Sequence, residues 1–292
     1  MAHILITGSK GQLGQEFQLI AKANKDYKFI FVDIDELDIT NADAVAQFFE
    51  NNKIDFCINC AAYTAVDKAE QERLIAVEIN AAGPKILSAN CRKASATFIH
   101  ISTDFVFDGK MNTPYSESHL ARPLSVYGKS KRKGEVDSLV ENPKTIVIRT
   151  SWLYSSFGNN FVKTMRRLGR ERNQLGVVYD QIGAPTYAKD LALALIHIID
   201  SVSQKNIKDI FGIYHYSNSG ICSWYDFAIA IFELSNIHIN VKPILTEEYP
   251  LPAKRPTYSV MDTHKIESVF NIEIPYWRES LKDCIRKLEE ND

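Results

Sequence analysis

Cysteine is scarce in this 292-residue chain: five residues, an odd number scattered along its length, exclude a disulfide framework. Cys57 and Cys60 form a C-x-x-C, but they fall in an apolar run that reads as a strand. Two small buried thiols are expected there, not a redox pair. Long hydrophobic runs are also missing. The longest, residues 191–199, is interrupted by His197 and is too short to span a bilayer. No signal-peptide pattern follows Met1, which leads into a short strand-like run and a glycine turn. Charge of one sign is lacking too. A formal net charge of −2 gives no reason to expect nucleic acid or a membrane as partner. His, Cys and Asp nowhere cluster at metal-ligand spacing, so no metal is expected. A cytosolic, globular protein is expected, and 45% apolar and 24% charged residues suit that class.

What the chain does have is alternation. Short apolar runs at 3–6, 29–32, 54–60, 97–101 and 146–148 are rich in β-branched or aromatic residues. Continuous apolarity suits parallel strands covered on both faces. Helical patterns lie between them at 13–21, 42–51, 69–91 and 129–140, with Asn41 or Asp43 placed to cap the second and Pro84 to break the third. Repeated β-α-β units predict an α/β fold, a doubly wound parallel sheet of Rossmann type. After Thr150 the pattern changes. Aromatic and polar loops mix with helices at 161–172, 189–201 and 224–235, and apolar runs at 177–179 and 212–216 are candidates to extend the sheet. The expected division is a dinucleotide-binding domain over 1–150 and a smaller, interleaved substrate-binding region over 151–292. Residues 243–256 contain four prolines and read as a loop over the surface or a cleft.

Gly8, Gly11 and Gly14 follow the first strand directly and open the first helix. This is where a dinucleotide fingerprint belongs, with its pyrophosphate at a helix N-terminus. Asp33 ends the second strand, where an acid grips the adenosine ribose hydroxyls and favours NADH. Lys10, in the glycine turn, would instead attract the 2′-phosphate of NADPH, so either cofactor is open. Asp38 and Ile39, before a helix, suit adenine or a cap equally. The small residues Ala61, Ala62, Tyr63 and Thr64 end the third strand and let a ligand approach.

Thr103 and Asp104 end the fourth strand, at the carboxyl edge where ligands collect; a turn or cap is the simpler alternative. Tyr127 and Lys131 follow on one face of the next helix. A Tyr-x-x-x-Lys is expected about once by chance in a chain with 13 tyrosines. An ammonium beside a phenol lowers its pKa and makes it a proton donor. The remaining charges of 129–133 read as a solvated helix face. Trp152, just past a strand end, is core or ligand contact. His100, inside an apolar strand, is expected to be packed.

The glycine turn, the 61–70 and 102–107 segments and the Tyr127 to Lys131 motif together resemble the extended short-chain dehydrogenase/reductase family. Segments 149–154, 158–165, 180–186 and Arg255-Pro256 resemble its reductases of 4-keto sugar nucleotides. The resemblance implies reduction by NADPH or NADH of the C4 ketone of dTDP-4-dehydro-β-L-rhamnose to dTDP-β-L-rhamnose, a step of polysaccharide synthesis. It implies Tyr127 as proton donor, Lys131 on the nicotinamide ribose keeping the Tyr127 pKa low, and Thr103 orienting the carbonyl. Gly11, Gln12, Leu13, Asp33, Asp38, Ile39, Ala61, Ala62, Tyr63, Thr64 and Ile101 would line the dinucleotide. Thr103, Asp104, Trp152, Asn160 and Arg255 would contact the dTDP-sugar. Phe105 stands where the related 4,6-dehydratases carry a second carboxyl group, which favours simple reduction over elimination. An epimerase, or a regulatory subunit like that of methionine adenosyltransferase, are the rival readings. Some members dimerise around magnesium held by glutamates. Glu16 fits that pattern but Lys189 opposes it, so any homodimer is expected to lack a bridging metal.

Overall fold

The computed structural model describes residues 1–204 and 210–290. The first half forms β1 (Ala2–Thr7), β2 (Tyr27–Val32), β3 (Phe56–Asn59), β4 (Thr97–Thr103) and β5 (Thr145–Thr150). Between them run α1 (Gln12–Ala23), α2 (Ala42–Asn51), α3 (Arg73–Val77), α4 (Gly83–Lys93) and α5 (Val126–Glu141). The second half adds β6 (Leu153–Tyr154), α6 (Phe161–Glu171), β7 (Gln174–Val178), β8 (Ile182–Gly183), β9 (Thr186–Tyr187) and α7 (Ala188–Ser203). It continues with β10 (Gly212–His215), β11 (Cys222–Ser223), α8 (Trp224–Leu234), β12 (Asn240–Ile244), α9 (His264–Phe270) and α10 (Trp277–Glu289). None of the described helices is long and apolar enough to cross a membrane.

Six parallel strands make the central sheet, in the order β2-β1-β3-β4-β5-β10. This is a Rossmann-type doubly wound sheet, with its switch point between β1 and β3. Strand periodicity of two divides its side chains between two cores. Ile4, Ile6, Ile58 and Ile99 pack with Phe17 of α1 and with Leu191 and Leu195 of α7. Leu5, Cys57 and Phe98 point the other way, onto Val45 and Phe49 of α2 and Leu87 and Cys91 of α4. Each such fully buried side chain stabilises the fold by about 1.5–3 kcal/mol. A third core, among α6, α8, α10 and β7, lies in the second half.

Three sequence expectations change. The 212–216 run does join the sheet, as β10, but 177–179 does not: β7 pairs with β12 in a separate two-stranded sheet. Pro243 sits opposite Val177 there, and a strand flanked on one side only tolerates a residue without an N–H. The 69–91 helix is broken into a 3₁₀ turn, α3, a π turn over Glu78–Ala82 and α4, with Pro84 in the first turn of α4. Helices α9 and α10 were missed, although Trp277, Leu281, Cys284, Ile285 and Leu288 recur at helical spacing and are buried.

The π turn meets α5 very closely. A Cβ on Gly134 would lie 2.1 Å from the Asn80 carbonyl oxygen. Gly134→Ala is therefore expected to cost about 1–3 kcal/mol as an overpacking substitution, despite alanine's better helix propensity. Urea unfolding checks it; an unchanged midpoint would mean that the π turn yields.

Candidate active site

Sequence places the site at the carboxyl edge of the sheet, and two helices converge there. At the switch point, Gly8 adopts φ +64°, and a Cβ on it would lie 2.6 Å from the Ala61 backbone nitrogen. A Cβ on Gly14 would lie 2.5 Å from the Gly8 carbonyl oxygen. Glycine at both positions lets the turn fold back on itself, with Gly11 capping α1 and Gln12 and Leu13 in its first turn. No side chain caps the first amides of α1, which leaves them open as the cradle an anionic dinucleotide needs.

The acids around this turn are engaged locally. Asp33 Oδ2 accepts from the Lys10 amide at 2.8 Å and Oδ1 from the Ile34 amide at 2.9 Å. Lys10 Nζ turns to Asp35 at 2.6 Å and Glu36 at 3.6 Å. Its charge is neutralised by two neighbouring carboxylates. Asp38 Oδ1 accepts from the Thr40 amide and hydroxyl, and Ile39 is buried against Gly83. After β3, the Asn80 side chain bonds both the amide and the carbonyl of Tyr63, at 2.9 and 3.0 Å. The Tyr63 hydroxyl donates to Glu72 at 2.5 Å. This positions 61–64 beside the glycine turn.

The second half of the site hangs on α5. Ser125 caps it, accepting from the Gly128 amide at 3.1 Å, and Glu70 accepts from the Val126 amide at 2.8 Å. Gly128 permits the helix to abut the turn after β4, since a Cβ there would lie 2.3 Å from the Phe105 carbonyl oxygen. Thr103, Asp104, Tyr127 and Lys131 are thereby brought together. The Thr103 hydroxyl donates to Asp104 Oδ1 at 3.0 Å and accepts from the Phe105 amide at 3.2 Å. The Tyr127 ring meets Phe105 edge-on, centroids 5.6 Å apart. Lys131 Nζ is buried and donates to the Ile101 carbonyl at 2.6 Å.

Burial dominates the electrostatics. It pushes Tyr127 up to about 12, with the adjacent Thr103 hydroxyl pulling it back and Asp104 pushing it further. The expected lowering by Lys131 is not seen here, because the ammonium is turned onto the Ile101 carbonyl and desolvation of the phenolate outweighs it. Burial also lowers Lys131 to about 8 against Glu135, one turn away, which raises it. Asp104 rises to about 6 by burial, tempered by Ser259 and Thr103. Its Oδ2 makes no hydrogen bond of normal geometry, although the Ser259 hydroxyl lies beside it. His100 is fully buried, pushed well below its ordinary value, and pairs through Nδ1 with Asn59 Nδ2 at 3.1 Å.

A cavity of about 900 Å³ adjoins this cluster. Asp104, Trp152 and Arg255 line it; Thr103, Tyr127 and Asn160 do not. Phe105 is on its wall and also meets the Tyr127 ring. Asn160 instead caps α6, accepting from the Lys163 amide at 3.1 Å, and donates to Gln12 Oε1 at 2.9 Å, tying the cofactor turn to the 155–161 loop. Trp152 has φ +47° and stacks on Trp224 with centroids 3.6 Å apart. Trp224, Phe161, Gln181 and Thr246 also line the cavity, and sequence reasoning gave them no role. The Ser223-x-x-Asp226 capping box before Trp224 was the available signal, since it starts a helix with an aromatic at its mouth. Away from the cavity, Glu16 is buried and accepts from the Ser155 hydroxyl at 2.6 Å, while Lys189 pairs with Asp283 at 2.8 Å.

Residues 1–290 match the sequence model of the family described as "RmlD substrate binding domain". A relative from Aggregatibacter actinomycetemcomitans, named dTDP-4-dehydrorhamnose reductase, is 44% identical over 291 residues, 97% of this chain and 98% of that one. A solved dTDP-4-dehydrorhamnose reductase from Clostridium acetobutylicum superposes with TM-score 0.93 at 46% identity, covering 98% of this chain and 99% of its own. Another, from Bacillus anthracis str. Ames in complex with NADP, gives 0.91 at 40% identity, covering 98% of this chain and all of its own (100%).

Asp104 makes a pH-dependent contribution that can be measured. A carboxyl whose folded pKa lies above its unfolded value adds stability at low pH and loses it as pH rises through the folded value, here about 6. Asp104→Asn is therefore expected to gain stability relative to the parent chain between pH 4 and 8, by on the order of 2–3 kcal/mol. Urea midpoints across that range test it. A stability difference that does not change with pH would place the proton elsewhere.

Proposed function

The chain belongs to the family of the RmlD substrate binding domain, and on that premise we propose that it reduces the C4 ketone of dTDP-4-dehydro-β-L-rhamnose to dTDP-β-L-rhamnose with NADPH or NADH. This is the last step in making dTDP-L-rhamnose. The observation that carries the reading is the adjacency of the Thr103–Tyr127–Lys131 cluster to a cavity large enough for a nucleotide sugar, with Asp104 and Phe105 shared between the two.

Residues 1–150 supply the cofactor side. Gly8 and Gly14 leave no room for side chains, so the turn and the α1 N-terminus suit a dinucleotide pyrophosphate. On this reading Gly11, Gln12, Leu13, Asp33, Asp38, Ile39, Ala61, Ala62, Tyr63, Thr64 and Ile101 line the dinucleotide. Lys131 is placed to bond a ribose hydroxyl when it leaves the Ile101 carbonyl. When bound, the reduced dinucleotide supplies a hydride to the ketone carbon.

Residues 151–292 supply most of the substrate side. Tyr127 gives its phenolic proton to the ketone oxygen, which would otherwise carry the developing negative charge. Thr103 holds that oxygen and the phenol in register. A phenol raised to about 12 by burial is fully protonated at neutral pH, the form a general acid needs. Asp104 and Trp152 contact the sugar or nucleotide, and Arg255 suits the diphosphate because its planar fork can bind two oxygens at once. Asn160 acts through Gln12 and the loop it caps.

Tyr127→Phe keeps the ring and removes the proton. Turnover is expected to fall by roughly 10²–10⁴ while dinucleotide binding stays intact. The assay follows loss of reduced-nicotinamide absorbance with the keto sugar nucleotide generated in situ by a dehydratase. No oxidation of NADPH or NADH by the parent chain would sink the activity; near-normal turnover by the variant would sink the role of Tyr127.

A further inference from the structure

Arg255 is already engaged in the protein, and the way it is engaged leaves one edge of its guanidinium for a ligand. Nη1 donates to Asp67 Oδ1 and to the Ala253 carbonyl, both at 3.1 Å, and Nη2 donates to Asp67 Oδ2 at 2.7 Å. A guanidinium has five N–H donors, so two remain, on Nε and on Nη2. They lie side by side along one edge of the plane and have no hydrogen-bond partner among the described residues. Two parallel N–H groups are the geometry that takes two oxygens of one phosphate. Asp67 occupies the adjoining Nη1–Nη2 edge and takes only one of the two N–H groups of Nη2, so it fixes the plane and leaves the Nε–Nη2 edge open.

Asp67 does a second thing. Its Oδ1 also accepts from the Ala253 amide at 3.1 Å. It thereby holds the proline-rich 250–256 segment to the turn after β3, across 186 residues of chain. Asp67, Ala253, Lys254 and Arg255 all line the cavity, so the contact closes one of its walls. Both side chains are partly shielded, at 34% and 20% exposure, and Arg255 holds the Asp67 carboxyl below its usual range, so the pair stays ionised.

We propose that Asp67 is a positioning residue: it latches the 250–256 segment over the cavity and presents the Nε–Nη2 edge of Arg255 to the diphosphate of a nucleoside diphosphate. The inference rests on the sugar-nucleotide activity proposed above and names what organises its diphosphate subsite. A flexible arginine on a proline-rich loop would have to be ordered by the ligand at the ligand's expense. The latch does this ordering before the ligand arrives.

The test uses calorimetry on the full chain with dTDP and, separately, thymidine. Asp67→Asn keeps the shape and a hydrogen bond but loses the ion pair; dTDP affinity is expected to fall roughly tenfold with thymidine affinity almost unchanged. Arg255→Lys keeps the charge and loses the fork, and should show the same selective loss. The exchanged pair, Asp67→Arg with Arg255→Asp, separates positioning from mere cohesion. A structural ion pair would recover in the exchange, whereas here dTDP binding stays weak because the guanidinium now springs from the turn after β3 and not from the 250–256 segment. Should Asp67→Asn fail to fold, Asp67→Glu, which keeps the charge and displaces the carboxylate, carries the test through the same selective loss of dTDP affinity. Equal or tighter dTDP binding by Asp67→Asn, recovery in the exchanged pair, or no dTDP binding by the parent chain would each overturn the proposal. If dTDP binding shows the expected losses but the keto sugar is not turned over, the latch stands and only the reductase reading falls.

Discussion

The site depends on a buried ion pair that does not line the cavity. Glu135 of α5 receives Arg149 of β5 in a two-point contact, Nε to Oε1 and Nη2 to Oε2, both at 2.8 Å. The Ser102 hydroxyl of β4 donates to the same carboxylate at 2.6 Å and Arg132 at 2.7 Å. One carboxylate thus joins the helix that carries Tyr127 and Lys131 to the two strands whose ends carry Thr103 and Trp152. Buried pairs of this kind add little net stability, because desolvation offsets attraction, yet removing one partner costs about 3–5 kcal/mol. What Glu135 contributes is register. It fixes where α5 stands along the sheet, and it lies one turn from Lys131, whose charge it supports against burial.

That constraint also explains why the 129–140 pattern located α5 without revealing its buried face. Its buried face is Gly128, Ser130, Lys131, Gly134, Glu135 and Ser138, with no apolar stripe. The helix is attached through polar contacts and close backbone approach: Asn80 to Ser130 at 3.0 Å, Ser88 to the Ser138 carbonyl at 2.7 Å, and the two glycines against carbonyl oxygens. Hydrophobic periodicity cannot register such a face. The charge run at 129–133 looked solvated outside Lys131, yet Arg132 is also drawn inward to Glu135. By contrast, the strands of the first half were readable to within a residue or two, because both of their faces are apolar and their ends are marked by glycine, asparagine or serine.

The second half hid more, for a different reason. Its elements are short, and long-range contacts define them. β6, β8, β9 and β11 are two-residue pieces that no local propensity could specify. Trp152 was located by its place after β5, but its orientation comes from residues far along the chain. It stacks on Trp224, and Gly183 leaves the space it fills, since a Cβ there would sit 2.6 Å from the indole. Arg255 likewise was expected to contact the dTDP-sugar, without any sign of its partner at Asp67. Each of these is a contact between segments far apart in the chain, and such pairings are what a single sequence read in order leaves unspecified.

The charges around Tyr127 show how burial organises the chemistry. Desolvation disfavours every charged form in the cluster: the phenolate, the Asp104 carboxylate and the Lys131 ammonium all shift towards neutrality. Ketone reduction in such a site moves charge and does not abolish it: as the carbon takes hydride and the oxygen takes the Tyr127 proton, the negative charge passes from the substrate oxygen to the phenolate, which burial disfavours and the Thr103 hydroxyl steadies. The single hydroxyl that lowers the Tyr127 pKa, Thr103, is also the one proposed to hold the reacting oxygen. The same hydroxyl can therefore follow the negative charge from substrate to tyrosine, and the protein needs no second acid at the strand end where Phe105 stands.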